Sequence, residues 1–432
     1  MTVTADAACA KPGRSDIYDV LVLDAGYKQS LASVRSLGRA GLRVAAAECP
    51  AECDMSGPVL AFRSRYCAGR AVLPSYAADA DAFAAAVVDF VREHSVRMVL
   101  PNGDGSIASL IPRRDELAAL GCVLALAPNA ALEIANSKDR TLELASKLGI
   151  DQPRTMRIDS VADLPSVFAE FEFPFVLKPT VSWTGRSGRR LVPVDVANEA
   201  EAVDLTGQLL AAGPGLLAQE WACGRREGVT LFIAGDEVLA SCGHVAYRTS
   251  PPLGGASVMR ESIPVPADIY TASVSLAMAV GIQGVCEVEF RRNASNRALL
   301  MEINARLAGT IYNAVHSGVD FPLMIWQKAA GLPIDRSKGY RTGVRTRWLH
   351  GDLRWLRENQ SRAGRADSVK PGRALWTFVS EFTRTRHYDC FDWHDLSPFM
   401  AEMRATAAAV RKSRDRQSAA EEPNREGTIR VH

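Results

Sequence analysis

No apolar run in this 432-residue chain approaches the roughly 18 residues needed to cross a bilayer, and the opening MTVTADAACAKPGRS lacks the apolar centre of a secretory signal. Membrane insertion and secretion are not expected, and a cytoplasmic location is. Excess charge of either sign is also missing: 51 Lys and Arg nearly balance 49 Asp and Glu, so no global field selects nucleic acid or an anionic membrane. The expected partners are small molecules. Nine cysteines are scattered, and the one close pair, Cys49 with Cys53, has no second pair to complete a tetrahedral zinc site, which fits reduced thiols. Familiar catalytic loops are absent too. The first strand turn, DAGYKQS, lacks the GxGxxG spacing of a dinucleotide-dependent oxidoreductase, SWTGRSGRR is not a Walker A loop, and without GxSxG no Ser-His-Asp arrangement can be argued. No internal repeat is apparent.

What is present is ordinary globular composition, 47% hydrophobic and 23% charged, in a chain long enough for two or three domains. A polar, flexible leader at 1–17 precedes YDVLVLDA, a short apolar strand, then the helical LASVRSLGRAG and a second strand, LRVAAAE. A helix over DAFAAAVVDFVREHS and a strand at VRMVLPN continue the alternation, which predicts a parallel sheet covered by helices over 18–127. Gly103, Gly105 and Ser106 after that strand read as a turn. The pattern restarts beyond 128. FPFVLKP, LVPV and GLLAQEW read as strands around a helix, EAEAVDLTGQLLAAG. Gly235-Asp236 then marks a hairpin inside VTLFIAGDEVLASCGHV, RTSPPLGGASVMRES reads as a polar loop, and a helix covers about 267–281. The stretch 336–410 reads as a helical C-terminal segment, and 411–432 as a disordered tail.

The chemistry concentrates near residue 300. GVCEVEF and LLMEINARLAG are strand-like runs separated by a polar loop. Period two puts Glu302, Asn304 and Arg306 on one face of the second run, with Glu289 approaching from the first. These are hard oxygen ligands with a guanidinium beside them, the set expected of magnesium and phosphate. Glu287 and Glu289 share one face of a strand otherwise made of Val, Cys and Phe, and like charges so placed are destabilising unless a cation lies near. Lys178 closes an apolar strand before a loop with Ser182, Thr184, Gly185, Ser187 and Gly188, which suits a polyphosphate. His244, lone on an apolar strand, reads as a hydrogen-bonded core residue, and no catalytic base is assigned.

In their order along the chain these parts resemble the ATP-grasp superfamily over about residues 18–335. A strand lysine precedes a glycine-rich loop, Gln219-Glu220-Trp221 ends a strand, Glu227 follows seven residues after Glu220, and Glu289, Glu302 and Asn304 come last. The resemblance implies an N-terminal parallel-sheet domain at 18–127, a two-lobed ATP-grasp domain at 128–335 with its lid lobe at about 150–220, and the helical segment packed on this body. It implies ATP as cofactor, with Lys138, Lys178 and Ser187 at the phosphates, Gln219 and residues 220–223 (Glu220, Trp221, Ala222, Cys223) as the adenine hinge, and Glu227 at the ribose. Glu289, Glu302 and Asn304 would hold Mg²⁺, or Mn²⁺ in its place, and Arg306 would meet the transferred phosphate or a substrate carboxylate. Residues 182–189 would close over the phosphates.

Within the superfamily the chain looks most like the carbamoyl-phosphate-synthetase-like carboxylate-amine ligases, whose Glu-Ile-Asn-Pro-Arg element stands here with Ala305 in place of proline, ahead of NAVHSGVDFP. RTSPPLGGASVMRES also resembles that group, making Arg248 and Arg260 candidates for an acid substrate or a phosphate, with ordinary surface arginines as the other reading. The expectation is an ADP-forming ligase that joins a small carboxylate to an amine through an acylphosphate, with a homodimer as the oligomer considered. A small-molecule kinase built on the same cradle and a nucleotide-binding regulatory protein remain the alternatives.

Overall fold

The computed structural model describes residues 17–49, 58–185, 190–252, 254–334, 336–365 and 368–421. Five parallel strands, β1 (Val20–Val22), β2 (Val44–Glu48), β3 (Cys67–Val72), β4 (Met98–Leu100) and β5 (Val123–Leu124), form the first sheet in the order β3-β2-β1-β4-β5. The unbroken apolar runs are what such a sheet requires, because helices cover both faces. Val20, Val22, Val44, Ala46 and Met98 enter one core, while Leu21, Leu23, Ala45, Ala47 and Val99 enter the other. Strand order reverses beside β1, and ligands of open α/β sheets bind at the carboxyl ends of the strands at such a point. Here those ends carry Asp24, Asn102 and Asp104.

The second sheet is small and wholly antiparallel: β6 (Thr155–Ile158), β7 (Phe175–Pro179), β8 (Val194–Val196) and β9 (Leu216–Glu220), ordered β6-β9-β7-β8. The helix Glu199–Ala212 packs on it around Phe175, Leu177 and Leu216. The third sheet has β10 (Arg225–Ala234), β11 (Glu237–Ser250), β12 (Ala256–Ile263), β13 (Gly284–Arg292), β14 (Ala298–Asn304), β15 (Arg345–Arg347) and β16 (His387–Tyr388), ordered β14-β13-β10-β11-β12-β15-β16. One face sends Val229, Leu231, Val288, Phe290 and Ile303 into a core shared with the helix Ala267–Val280. The other carries Thr230, His244, Arg260, Ser262 and Glu287, all buried although polar. Buried polar groups need partners, so this second face is where specific chemistry can be built.

Two sequence expectations change. Residues 248–262 are not a polar loop: β11 runs to Ser250 and β12 starts at Ala256, leaving a tight connection. The segment is polar because its inward residues lie on the polar face, which mimics the composition of a loop. The segment after 336 is not purely helical either. β15 and β16 extend the third sheet, with helices Leu349–Ser361, Pro371–Arg384 and Ser397–Glu421 around them, the last crossing position 411. Ion pairs tie this segment inward, with Arg35 on Asp395 at 2.8 Å and Arg365 on Glu201 at 2.8 Å. Among the described residues, no helix is long and apolar enough to cross a membrane.

Candidate active site

Glu289 on β13 and Glu302 on β14 are direct antiparallel partners, and Glu287 pairs with Asn304 on the same face. Asn304 Nδ2 lies 3.2 Å from Glu302 Oε1 and 3.4 Å from Glu289 Oε1, so the amide sits between the two carboxyl groups. Burial, then Glu302 and Glu287, push the Glu289 carboxyl up to about 8. Burial acts the same way on Glu302, but the Lys178 and Lys138 charges outweigh it and lower that carboxyl. The two carboxyl groups therefore differ in proton affinity, raised at Glu289 and lowered at Glu302. Among the described residues no group of three or more His, Cys, Asp or Glu converges to cage a metal. Two glutamates and an amide suit Mg²⁺ all the same, because this ion keeps positions for water and phosphate, and a cation removes the repulsion that protonates Glu289.

The two lysines approach Glu302 from different elements. A bulge in the β13–β14 ladder falls at Met301, whose carbonyl oxygen accepts Lys178 Nζ at 2.6 Å. Lys178 is 4% exposed at the end of β7, and burial lowers its proton affinity against the opposing pull of Glu302 and Glu289. Lys138 opens the helix Lys138–Lys147. Its backbone N–H donates to Thr180 O at 2.9 Å, its Nζ reaches Ser182 Oγ at 2.9 Å, and burial, partly offset by Glu302, brings it down to about 8. Both cations are thus preorganised beside the carboxylate pair.

Arg306 completes the arrangement. Its Nε donates to Asp104 Oδ1 at 2.8 Å, while Arg190 Nε lies 3.4 Å from Asp104 Oδ2. Burial would raise the Asp104 carboxyl, but Arg306 and Arg190 bring it down to about 2. Asp104 begins the helix Asp104–Leu110 directly after β4, so the predicted turn at Gly103, Gly105 and Ser106 is a helix start. Gly103 is required there, since a Cβ would stand 2.6 Å from Asp24 Oδ1.

A family model described as "ATP-grasp in the biosynthetic pathway with Ter operon" matches residues 255–351. The fold is similar to that of L-amino acid ligase from Bacillus licheniformis, with TM-score 0.56 and 20% identity over 74% of this chain and 76% of that one. It is also similar to the biotin carboxylase domain of 2-oxoglutarate carboxylase from Hydrogenobacter thermophilus in complex with MgADP, ADP and bicarbonate, with TM-score 0.58 and 15% identity over 76% and 73%. A third likeness is to N5-carboxyaminoimidazole synthase from Aspergillus clavatus in complex with ADP and 5-aminoimidazole ribonucleotide, with TM-score 0.55 and 17% identity over 74% and 78%. The fold is ATP-grasp. The carboxylate pair lies on the polar face of the third sheet, and Lys178 reaches it from the β6–β9 sheet.

The remaining predicted residues of the ATP-grasp fold fall into distinct settings. Gln219 is buried in β9, with Nε2 on Thr155 Oγ1 at 3.1 Å, and the Glu220 carboxylate is held by the Arg154 backbone N–H at 3.0 Å and Nε at 2.8 Å. Trp221 and Ala222 are half-buried and Cys223 is exposed in the irregular link from β9 to β10. Glu227 is buried and already accepts from Arg225 and from Arg292 Nε, the latter at 2.6 Å. Ser187 lies outside the described residues.

Arg248 and Arg260 require correction. They are not surface arginines, and each has a carboxylate of the C-terminal segment: Arg248 forks onto Asp352 at 2.7 and 2.8 Å, and Arg260 Nη2 meets Asp389 at 2.7 Å. Neither partner was legible, because each is more than a hundred residues away in sequence. His244 is buried against Gly228 with Nδ1 4.0 Å from Glu287, and burial lowers its proton affinity, so it is a core histidine of the polar face. Sequence reasoning missed Asp104 and Arg190. The only signal was Asp104 at the end of a strand of a parallel sheet and Arg190 in a basic glycine loop.

Proposed function

We propose that the chain is an ATP-dependent, ADP-forming carboxylate-amine ligase that makes an amide or peptide bond in the cytoplasm. The observation that carries this reading is the register pairing of Glu289 with Glu302 around the Asn304 amide, with Lys178 anchored on the adjoining Met301 carbonyl and the charges of Lys138 and Arg306 acting on Glu302. The similar structures support it, since one is an L-amino acid ligase and two are a carboxylase domain and a carboxyaminoimidazole synthase seen with ADP.

Magnesium with ATP would supply the phosphoryl group that activates a substrate carboxylate. Glu289, Glu302 and the Asn304 amide would hold the metal, and Lys138 and Lys178 would balance phosphate charge that the carboxylates would otherwise repel. Arg306 would hold the acid or the phosphoryl oxygens by charge-assisted hydrogen bonds. The amine needs no strong protein base, because activation of the carboxyl group and orientation carry most of the barrier. The Trp221–Cys223 link would bear the adenine and Glu227 the ribose hydroxyls.

The test is an ADP-release screen over paired carboxylates and amines, with Glu302→Ala as control. ADP release that needs both partners and disappears in the variant supports ligation. A stable phosphorylated product from one substrate alone points instead to a kinase, and ATP binding without ADP release to a regulatory nucleotide-binding protein. Undiminished release by the variant would sink the metal assignment.

A further inference from the structure

Asp104, at the start of the helix that follows β4, joins both of the other parts of the fold at the candidate site. Its two oxygens take different guanidiniums: Oδ1 takes Arg306, from the loop after β14, and Oδ2 takes Arg190, from the connection between β7 and β8. The three residues thus come from the helix start after β4, from the segment leaving the third sheet and from a connection within the β6–β9 sheet. We propose that Asp104 is a positioning residue that holds Arg306 and Arg190 in one fork, with their terminal nitrogens turned to an anion beside the Glu289–Glu302 pair. The proposal rests on the ATP-dependent reading above and adds Arg190 as a second anion-binding arginine.

Geometry and charge support it. In each ion pair the nitrogen nearest Asp104 is Nε, and a guanidinium held through Nε keeps its Nη edge for a second, bidentate partner. The other hydrogen bond of Arg306 is a long 3.5 Å contact from Nη1 to the Leu307 carbonyl. Arg190 acts electrostatically on both Glu302 and Lys138, and Arg306 and Glu302 act on each other, so both guanidiniums stand within range of the metal pair.

Asp104 is itself held from behind. Asp24 Oδ2 accepts from Asn102 N at 2.9 Å, Gly103 N at 2.6 Å and Ser106 Oγ at 2.6 Å, which fixes the backbone on both sides of Asp104. Three hydrogen bonds to one carboxylate oxygen make a rigid mount. A residue that only solubilised the surface would need none of this, whereas one that sets two arginines needs a backbone that does not move.

The experiment is a mutant cycle read by titration calorimetry, using magnesium with ADP and magnesium with a non-hydrolysable ATP analogue. Arg306→Gln is expected to lower the preference for triphosphate over diphosphate about tenfold, because it removes a charge-assisted contact to the terminal phosphate. Asp104→Asn should shift that preference by about threefold or more in the wild-type background and by less than about 1.5-fold once Arg190→Gln and Arg306→Gln are both present. Asp104→Glu, which keeps the charge, should retain most of the preference. If the Asn variant does not melt cooperatively, the Glu variant is carried through the same cycle, where its smaller shift must vanish in the double-arginine background. Equal shifts in both backgrounds would overturn the proposal, since Asp104 would then act independently of the two arginines. Failure of the wild-type chain to bind nucleotide in the presence of magnesium would instead remove the ATP reading itself.

Discussion

Glu289 and Glu302 face each other across the β13–β14 ladder, yet their carboxyl groups shift in opposite directions, up to about 8 for Glu289 and below the usual range for Glu302. Burial acts on both alike. The difference comes from Lys178, Lys138 and Arg190, which together lower Glu302, whereas the charges of Glu302 and Glu287 raise Glu289 further. A pair so divided is stable without metal and receptive to it.

Substitutions within the pair should separate stability from function. Glu289→Gln removes a carboxyl group that the fold disfavours in its charged form and should stabilise the metal-free protein by up to about 1 kcal/mol. Glu302→Gln leaves two buried lysines without their ionised partner and should cost on the order of 2 kcal/mol. Both should abolish magnesium-dependent nucleotide binding. Urea denaturation with and without Mg²⁺ checks this, and equal signs for the two stability changes would contradict the division of charge.

Metal binding should release protons. Because Glu289 holds its proton up to about pH 8 and a ligand must be deprotonated, Mg²⁺ affinity should rise as pH goes from 6 to 8, with nearly one proton released per ion at pH 7. Lys138 loses its charge near the same pH, so nucleotide affinity should fall above about pH 8, and Lys138→Met should flatten that alkaline limb. Calorimetry in two buffers of different ionisation enthalpy counts the protons directly.

Arg248 should behave as a structural residue. Asp352 is fully buried and shared by Arg248 and Arg347, so Arg248→Ala leaves that carboxylate with one partner and should cost about 3 kcal/mol or more. Substrate KM should stay unchanged in the folded fraction. A KM effect without loss of stability would restore Arg248 to the substrate site.

Glu227 can serve two masters. A carboxylate has about four acceptor positions, and Arg225 with Arg292 uses two of them, which leaves room for ribose hydroxyls. Glu227→Gln should therefore reduce discrimination between ATP and its 2′,3′-dideoxy analogue, measured as a ratio of Kd values. An unchanged ratio would leave Glu227 a purely structural anchor for the two arginines.

Much of the fold follows from local pattern. The apolar runs of β1, β2 and β4 mark the parallel sheet, and Gly235-Asp236 marks the β10–β11 hairpin, because period and turn chemistry act over a few residues. β12 was not legible. Its inward residues Ser257, Arg260 and Ser262 lie on the polar face, where burial reverses the usual relation between composition and position.

The candidate site divides along the same line. Alternation within β14 determined by itself that Glu302 and Asn304 share a face, and the short link between β13 and β14 made Glu289 a natural neighbour. Only the tertiary structure decided that Glu289 and Glu302 are register partners, that Lys138 and Lys178 charge one of them, and that Asp104 meets Arg306 across 202 residues of chain. Strand period is a property of the backbone and is written locally. Which charges finally meet depends on how three sheets pack, and that is settled by the whole core at once.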